Sequence, residues 1–387
     1  MAKFRKFIHD EAVLVISFAA ALVTSFFVQP SPEYLTYIDF NVLSVLFCLM
    51  LVVSGLRNAG LFNVLGQRMT EGNKKSRLLR LNLILICFFS SMFITNDVAL
   101  ITFVPFSIMV LNITDQKKHI IYVVAMQTVA ANLGSMLTPV GNPQNLYIYS
   151  YYNVNILEFF KITAPVTAAG LVLIIIFSLL GNNENISITF AQKENISDVK
   201  KLKLYIILFV ICILTVFHLV DYRVTFLAVL IIVLMTDRSM LKSVDYGLLG
   251  TFVNFFIFVG NMGKIDSVSR MISDLIKNKE LILSILCSQV LSNVPTAVLL
   301  SSFTQNYKAL ILGTDIGGLG TLIASLASLI SYKLYVKTED ARPIKYLAVL
   351  TIVNLLLIIA LYFFVETVGA YQSVPLENYS FLSDYVI

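Results

Sequence analysis

The sequence predicts an all-α polytopic membrane protein built as an inverted repeat, with two re-entrant helical hairpins and two broken transmembrane helices. Apolar residues make up 58% of the 387 positions and charged residues only 13%, against about 45–50% and 25% in soluble domains. Long uncharged stretches recur along the chain, the longest at 120–157. Polar motifs inside these stretches recur in the same order in both halves. A soluble fold, a nucleic-acid-binding domain and a disulfide-stapled secreted module are excluded.

The distribution of Lys and Arg predicts the orientation of the chain, because cytoplasmic loops of membrane proteins are enriched in both. With the N-terminus inside, 21 of the 28 Lys and Arg residues fall in cytoplasmic segments. This favours a multi-pass protein of the cytoplasmic membrane with a cytoplasmic N-terminus and an extracytoplasmic C-terminus. The predicted crossings are 12–29, 38–56, 119–150, 160–180, 203–220, 222–236, 244–263, 314–333 and 345–366.

The crossings divide the chain into four regions. The first half is 1–180, and the second half core is 244–366. Between them lies a linker region, 181–243, which contains the spans 203–220 and 222–236. Residues 367–387 form the predicted extracytoplasmic tail.

Two apolar segments are predicted to enter and leave the membrane on one side. Residues 81–116 run between basic positions and turn at Thr95-Asn96-Asp97. Each limb has about 15 residues, or roughly 22 Å as helix, short of the ~30 Å hydrocarbon core. Residues 281–307 repeat this pattern around Ser292-Asn293-Val294-Pro295, with limbs of about 12 residues. The alternative is a pair of ordinary spans joined by a tight turn.

A long uncharged helix with a break of small residues follows each hairpin. When Asn132 is aligned with Asp315, Thr138 falls on Thr321 and Gly141 on Ala324. By the charge assignment the first hairpin opens inward and the second outward, so the repeats are inverted. Matched broken helices in inverted repeats indicate the midplane binding site of a secondary transporter.

The breaks predict the chemistry of that site. Freed carbonyl groups suit a cation such as Na⁺, and the positive ends of half-helices suit an anion. Asp97 is conspicuous because an acid near the midplane is costly; it could ligate Na⁺, carry a proton or cap the following helix. Asp315 is expected to cap its helix near the outer interface, and Arg57 to reach the cytoplasmic interface. Alternatively, Asn and Thr here only hold helices together.

Four motifs carry a resemblance to a known group. They are Thr-Asn-Asp at 95–97, Leu-Thr-Pro-Val-Gly-Asn-Pro-Gln-Asn at 137–145, Ser-Asn-Val-Pro-Thr at 292–296 and Gly-Thr-Leu-Ile-Ala-Ser-Leu-Ala-Ser at 320–328. Over about 40–335 the chain resembles the ion transporter superfamily, which includes divalent anion:sodium symporters, citrate transporters and arsenite permeases. In the symporter branch both tips read Ser-Asn-Thr. Asp97 and Val294 depart from that pattern, and an Asn-Asp tip is closer to the arsenite and citrate branches.

The resemblance implies a homodimer that works as an elevator, with a scaffold domain and a moving transport domain. It implies no cofactor, only Na⁺ or H⁺ as coupling ion. The substrate site would be lined by Thr95, Asn96, Thr138, Pro139, Asn142, Ser292, Asn293, Thr296, Thr321 and Ser325. The Na⁺ candidates would be Asn96, Asp97, Gly141 and Asn293.

The predicted function is therefore secondary active transport of a small anion, in the first place a di- or tricarboxylate, coupled to Na⁺ or H⁺. Its partners would be the anion, the lipid bilayer and a second copy of the chain, with no nucleic acid. One alternative is an arsenite or oxyanion efflux permease that exchanges with protons. Another is a channel-like or structural membrane protein. An enzyme is not expected, because the sequence has no P-loop and no metalloprotease or hydrolase motif.

Overall fold

The computed structural model describes residues 11–179, 183–190, 192–369 and 371. Most of the predicted tail, 367–387, and the start of the chain therefore lie outside the described residues. The helices in chain order are Ala12–Ser25, Tyr34–Tyr37, Phe40–Asn58, Leu61–Thr70, Ser76–Ile94, Asn96–Ile113, Ile120–Ser135, Pro143–Tyr151, Ile156–Ser178, Val199–Val216, Tyr222–Thr236, Tyr246–Gly263, Asp266–Ile276, Glu280–Leu291, Asn293–Ser301, Tyr307–Gly317, Leu326–Tyr335 and Pro343–Val368.

The lengths and apolar character of these helices confirm a multi-pass α-helical membrane protein. In the described part of the chain, six helices are long and apolar enough to cross a membrane. They are Phe40–Asn58, Ser76–Ile94, Asn96–Ile113, Ile156–Ser178, Tyr246–Gly263 and Pro343–Val368. Ala12–Ser25, Tyr222–Thr236 and Glu280–Leu291 are shorter apolar helices.

Two helical hairpins and two interrupted helices form the centre of the molecule. Hairpin 1 consists of Ser76–Ile94 and Asn96–Ile113, and hairpin 2 of Glu280–Leu291 and Asn293–Ser301. Interrupted helix 1 consists of Ile120–Ser135 and Pro143–Tyr151, and interrupted helix 2 of Tyr307–Gly317 and Leu326–Tyr335. Their breaks are residues 136–142 and 318–325.

Each hairpin packs closely against the interrupted helix that follows it, and a glycine permits each contact. A Cβ on Gly134 would lie 2.0 Å from the carbonyl oxygen of Phe88 in hairpin 1. A Cβ on Gly317 would lie 2.7 Å from Cβ of Ser288 in hairpin 2. Such distances are far inside van der Waals contact. Gly134 falls on Gly317 when Asn132 is aligned with Asp315, so these two glycines occupy comparable close approaches.

The limbs of hairpin 1 are longer than the sequence predicted. They contain 19 and 18 residues, or about 28 and 27 Å of helix, instead of about 15 residues each. The first limb begins at Ser76, so Arg80, which we expected before the helix, lies within it, buried and 3.1 Å from His119. Limb length thus no longer distinguishes re-entry from crossing in hairpin 1. Hairpin 2, with 12 and 9 residues, remains short.

A second group of helices packs beside the central elements. Phe40–Asn58 contacts both Val199–Val216 and Tyr222–Thr236, whereas Tyr246–Gly263 contacts Ala12–Ser25. Two amides on Tyr246–Gly263 bond across that last contact: Asn254 donates to Ser17 at 3.1 Å and Asn261 to Thr24 at 3.2 Å. Polar contacts of this kind hold helices together inside a membrane.

A short antiparallel sheet was absent from the predicted all-α fold. Gly72–Lys75 pairs with Asn185–Ile188, Gly72 opposite Ile188. The first strand is polar and lacks the alternation that predicts strands, so the pairing has no sequence signal. Beside the sheet, Lys118 and Gln116 donate hydrogen bonds to Glu184 at 3.1 and 3.2 Å. These bonds, that of Lys118 first, lower the pKa of the exposed Glu184 carboxyl.

Candidate functional site

The hairpins turn at single residues with unusual backbone geometry. Thr95 has φ = +66° and Ser292 has φ = +79°, a region that residues other than glycine rarely adopt. Each residue ends one helix and precedes the next, so the second limbs begin at Asn96 and Asn293. The chain reverses within one residue, which leaves the N-terminus of each second limb at the tip.

The tip of hairpin 1 is bonded to the break of interrupted helix 1. The backbone N–H of Asn96 donates to the carbonyl oxygen of Gly141 at 3.1 Å. The hydroxyl of Thr138 donates to the carbonyl of Met92 and accepts from the N–H of Gly141. The side-chain oxygen of Asn96 accepts from the N–H of Asp97 at 2.9 Å. These bonds fix the tip against the break.

Hairpin 2 and interrupted helix 2 repeat this pattern bond for bond. The N–H of Asn293 donates to the carbonyl of Ala324 at 3.0 Å. The hydroxyl of Thr321 donates to the carbonyl of Gln289 and accepts from the N–H of Ala324. The side-chain oxygen of Asn293 accepts from the N–H of Val294 at 2.9 Å. The centre therefore consists of two structurally matched units, hairpin 1 with interrupted helix 1 and hairpin 2 with interrupted helix 2.

Two buried side chains join the units to each other. Asn132 accepts hydrogen bonds from the Asn96 amide at 3.0 Å and from the Ser325 hydroxyl at 3.1 Å. Asp315, the aligned residue, accepts from the amides of Asn142 and Gln144 at 3.4 Å and of Asn145 at 3.2 Å. Each unit thus accepts hydrogen bonds from the break of the opposite unit. The acceptor is the neutral Asn132 in the first unit and the acidic Asp315 in the second.

A cavity of about 380 Å³ lies where the units meet, within the usual size of small-molecule sites. Thr95 and Ser292 line it together, as do Pro143 and Leu326, the first residues after the two breaks. Four helix N-termini therefore border one cavity. Three of them have no side-chain cap, while Ser325 caps the fourth by accepting from Ala327. The first two N–H groups of each hairpin's second limb are already bonded, but the helix dipoles at all four N-termini attract negative charge.

Charged residues also line this cavity. Arg57 and Lys333 are basic, and Glu11, Asp97 and Asp245 are acidic. Arg57, in the last turn of Phe40–Asn58, was expected to extend to the cytoplasmic interface, and it also lines this cavity. The sequence could have indicated Lys333 as a residue near the site, because it lies eight residues after Ser325, or about 12 Å along a helix.

The residues predicted to bind substrate fall into three groups. Thr95 and Ser292 line the cavity. Asn96, Asn142, Asn293 and Ser325 are buried around it and bond within or between the units. The others have local structural contacts: Thr138 and Thr321 join the breaks to the hairpins, Pro139 is buried in the break, and Thr296 donates to the carbonyl of Ser292 at 2.8 Å.

Among the Na⁺ candidates, Asp97 has the most available oxygen. Its Oδ1 is buried and has no hydrogen-bond partner among the described residues. Gly141 contributes a carbonyl that already accepts from Asn96, and a Cβ there would lie 2.2 Å from the carbonyl oxygen of Ser135. Only glycine therefore fits that point of the break. Asn293 contacts interrupted helix 2 instead, through the Ala324 carbonyl.

Asp315 was assigned the wrong role from the sequence. Its helix begins at Tyr307, seven residues before the predicted start, and Asn306 caps it by accepting from the N–H of Ala309 at 3.1 Å. Asp315 instead lies near the end of that segment, 2% exposed, beside the break of interrupted helix 1. Its alignment with Asn132 was the sequence signal that could have indicated this buried position.

Comparisons with known proteins agree with this architecture. The family model described as citrate transporter matches residues 7–309. An uncharacterized transporter of Methanocaldococcus jannaschii is 31% identical over 326 residues, 83% of this chain and 88% of its own length. Inner membrane protein YbiR of Escherichia coli K12 is 28% identical over 80% of this chain and 84% of its own.

A silicon efflux transporter of Oryza sativa subsp. japonica is 30% identical over 154 residues, 39% of this chain and 31% of its own length. The matched family and the relatives named as transporters identify this chain as a membrane transporter, not an enzyme. The chain belongs to the citrate transporter family.

Proposed function

We propose that this protein is a secondary active transporter of a small anion, in the first place a di- or tricarboxylate, coupled to Na⁺ or H⁺. The observation that carries the proposal is the cavity that both hairpin tips share. Four helix N-termini border it, and Arg57 and Lys333 line it. The dipoles of these helix N-termini attract an anion, and the two basic side chains add donors for carboxylate oxygens.

The charges of the cavity give a reason for coupling. Three acidic side chains, Glu11, Asp97 and Asp245, face two basic ones, so a free anion meets a net negative lining. A cation or proton bound at Asp97 would remove one negative charge next to the tips. The anion would then bind strongly only after the coupling ion, which is the thermodynamic basis of symport.

The proposed mechanism is an elevator in a homodimer with inverted repeats. The moving body would contain both hairpins, both interrupted helices and Pro343–Val368. Hydrogen bonds support a single body: Thr128 of interrupted helix 1 donates to Ser331 of interrupted helix 2 at 2.7 Å, and Ser331 lies 3.0 Å from the Tyr346 hydroxyl.

The contacts between this body and Tyr246–Gly263 are less directional. The ring of Tyr147 lies 5.7 Å from that of Phe256 and 6.4 Å from that of Phe252. Apolar ring contacts permit sliding more readily than hydrogen bonds. At the start of Phe40–Asn58, Ser150 accepts a hydrogen bond from Asn41 at 3.2 Å and donates one to Asp39 at 3.4 Å. The cavity residues Arg57 and Lys333 are on the side that the Lys and Arg distribution assigns to the cytoplasm, so we propose an inward-facing state.

Transport into proteoliposomes tests this function. A panel of labelled mono-, di- and tricarboxylates would be offered with an imposed Na⁺ gradient, an imposed pH gradient or neither. We expect at least one carboxylate to accumulate above its equilibrium level under one of the gradients. Uptake indifferent to both gradients would contradict coupling, and uptake that never exceeds equilibrium would indicate a channel.

A second candidate is efflux of a weakly acidic hydroxide such as arsenite in exchange for protons. The excess of acidic over basic residues in the cavity favours a substrate with little negative charge, and one relative is named as a silicon efflux transporter. This candidate predicts metalloid resistance in cells that express the protein, without dependence on Na⁺.

A further inference from the structure

Asp315 is an acid whose charge is not balanced by any base in the described part of the chain. It is 2% exposed, and no ion pair among the described residues reaches it. Its hydrogen-bond partners are the neutral amides of Asn142, Gln144 and Asn145. A buried carboxylate without a counter-charge is costly unless it takes up a proton or binds a cation.

The three amide side chains around Asp315 each have an oxygen without a partner. The oxygens of Asn142, Gln144 and Asn145 are buried and accept no hydrogen bond among the described residues, and each residue is at most 3% exposed. Buried polar atoms are almost always paired. Rotation of an amide about its last bond exchanges its oxygen and nitrogen, so all three side chains can present oxygens to the carboxylate.

The spacing of these atoms fits ligands of one ion. The three amide nitrogens lie 3.2 to 3.4 Å from the Asp315 oxygens, longer than the usual hydrogen bond of about 2.9–3.0 Å. Two oxygens held roughly 2.4 Å from one cation at a right angle lie roughly 3.4 Å apart. The carbonyl of Met136, freed at the end of its helix, lies 3.4 Å from the Asn145 amide nitrogen and is a further nearby oxygen.

We propose that Asp315, Asn142, Gln144 and Asn145 form a binding site for a monovalent cation, Na⁺ in the first place, between the two interrupted helices. This inference rests on the proposed function and deepens it by adding a second cation site, apart from Asp97. One carboxylate with neutral oxygens matches a single positive charge. Among the described residues no cluster of three or more His, Cys, Asp or Glu could hold a metal ion, which disfavours a divalent ion here.

The location gives this site a mechanical consequence. Asp315 belongs to the first segment of interrupted helix 2, whereas Asn142, Gln144 and Asn145 belong to the break and second segment of interrupted helix 1. A cation bound by both would join the two units and fix the break that precedes Pro143, one of the residues lining the cavity. Cation binding would therefore order the cavity before the substrate arrives.

Thermal unfolding of the purified full-length protein in lipid nanodiscs tests the site without substrate or transport. NaCl would replace choline chloride at constant ionic strength and constant pH. We expect the wild-type Tm to rise with Na⁺ and saturate. Asp315→Asn should lose the response or need at least tenfold more Na⁺, yet unfold in choline at a temperature no lower than wild type, because a buried charge is gone.

Two more variants keep the test decisive. Gln144→Met removes one ligand at nearly constant size and should weaken the Na⁺ response severalfold, which tests the site even if Asp315→Asn does not fold. Asp274→Asn removes an exposed acid and should respond as wild type does.

Wild-type Na⁺ dependence in Asp315→Asn or in Gln144→Met would overturn the site. So would a wild-type Tm that follows pH but not Na⁺, Li⁺ or K⁺, since Asp315 would then hold a proton. The two proposals fail separately: Na⁺ binding lost in Asp315→Asn, without Na⁺-driven uptake in liposomes, would refute only the coupled transport.

Discussion

Ser325 donates a hydrogen bond of 3.1 Å to the side-chain oxygen of Asn132, although 193 residues separate them in the chain. The bond joins the break of interrupted helix 2 to the first segment of interrupted helix 1. Asn142 and Asp315 make the converse contact at 3.4 Å. The centre of the molecule is therefore held by two crossed links, and only one of them contains an acid.

Removing the neutral link should destabilise the centre. In Asn132→Ala, the buried Asn96 amide and Ser325 hydroxyl lose their acceptor, and each orphaned donor costs about 1–3 kcal/mol. We expect a lower Tm in nanodiscs and reduced transport. The matched control, Asn73→Ala in the exposed strand, should change neither. An unchanged Tm in Asn132→Ala would show that the link contributes nothing to stability.

The break at Gly141 should not accept a larger residue. In Gly141→Ala the new methyl group would lie 2.2 Å from the Ser135 carbonyl oxygen, so the break must shift and weaken the Asn96–Gly141 bond. We expect at least a tenfold loss of transport rate in proteoliposomes at equal protein content. Gly263→Ala is the control, because its Cβ would meet nothing within 4 Å. Equal activity of both variants would contradict the role of the break.

Asp97 should determine the dependence of transport on the coupling ion. Its Oδ1 has no partner among the described residues, so Asp97→Asn should fold and keep its Tm within a few degrees. Loss of the negative charge should abolish or change the Na⁺ or pH dependence of uptake. The measurement is the initial rate of uptake against Na⁺ concentration and against pH. Coupling identical to wild type would contradict a role of Asp97 in ion coupling.

The basic residues of the cavity should contribute to substrate affinity. Arg57→Gln and Lys333→Gln each remove a positive charge from the lining, and hydrogen bonds to charged partners contribute about 1.5–3 kcal/mol. We expect KM for the anion to rise roughly 10- to 100-fold with a smaller change in maximal rate. Lys161→Gln, on an exposed helix face, is the control. An unchanged KM in both variants would favour a substrate without negative charge.

The sequence predicted which motifs belong together more reliably than where single side chains lie. The alignment that paired Thr138 with Thr321 and Gly141 with Ala324 matches equivalent hydrogen bonds in the two units. This succeeded because each break has a Thr followed three residues later by a small residue, and that order is visible in the sequence.

Other features depended on tertiary contacts that have no local signal. Arg80 is buried in a helix beside His119, so the charge that marked the expected start of hairpin 1 misplaced that start. Arg57 lines a cavity because distant helices surround it. The helix that contains Asp315 was predicted to begin too late. Residues 309–314 are uncharged and contain no proline that would mark where this helix begins.

The central claim is that both hairpin tips share one cavity that opens to one side of the membrane at a time. A membrane-impermeant thiol reagent tests it on Thr95→Cys and Ser292→Cys, each in a background without Cys48, Cys87, Cys212 and Cys287, labelled from either side of oriented vesicles. The account predicts that both tips react from the same side, and that coupling ion and substrate change the rates of both together. Reaction of Thr95→Cys only from outside and of Ser292→Cys only from inside, under every condition, would contradict it.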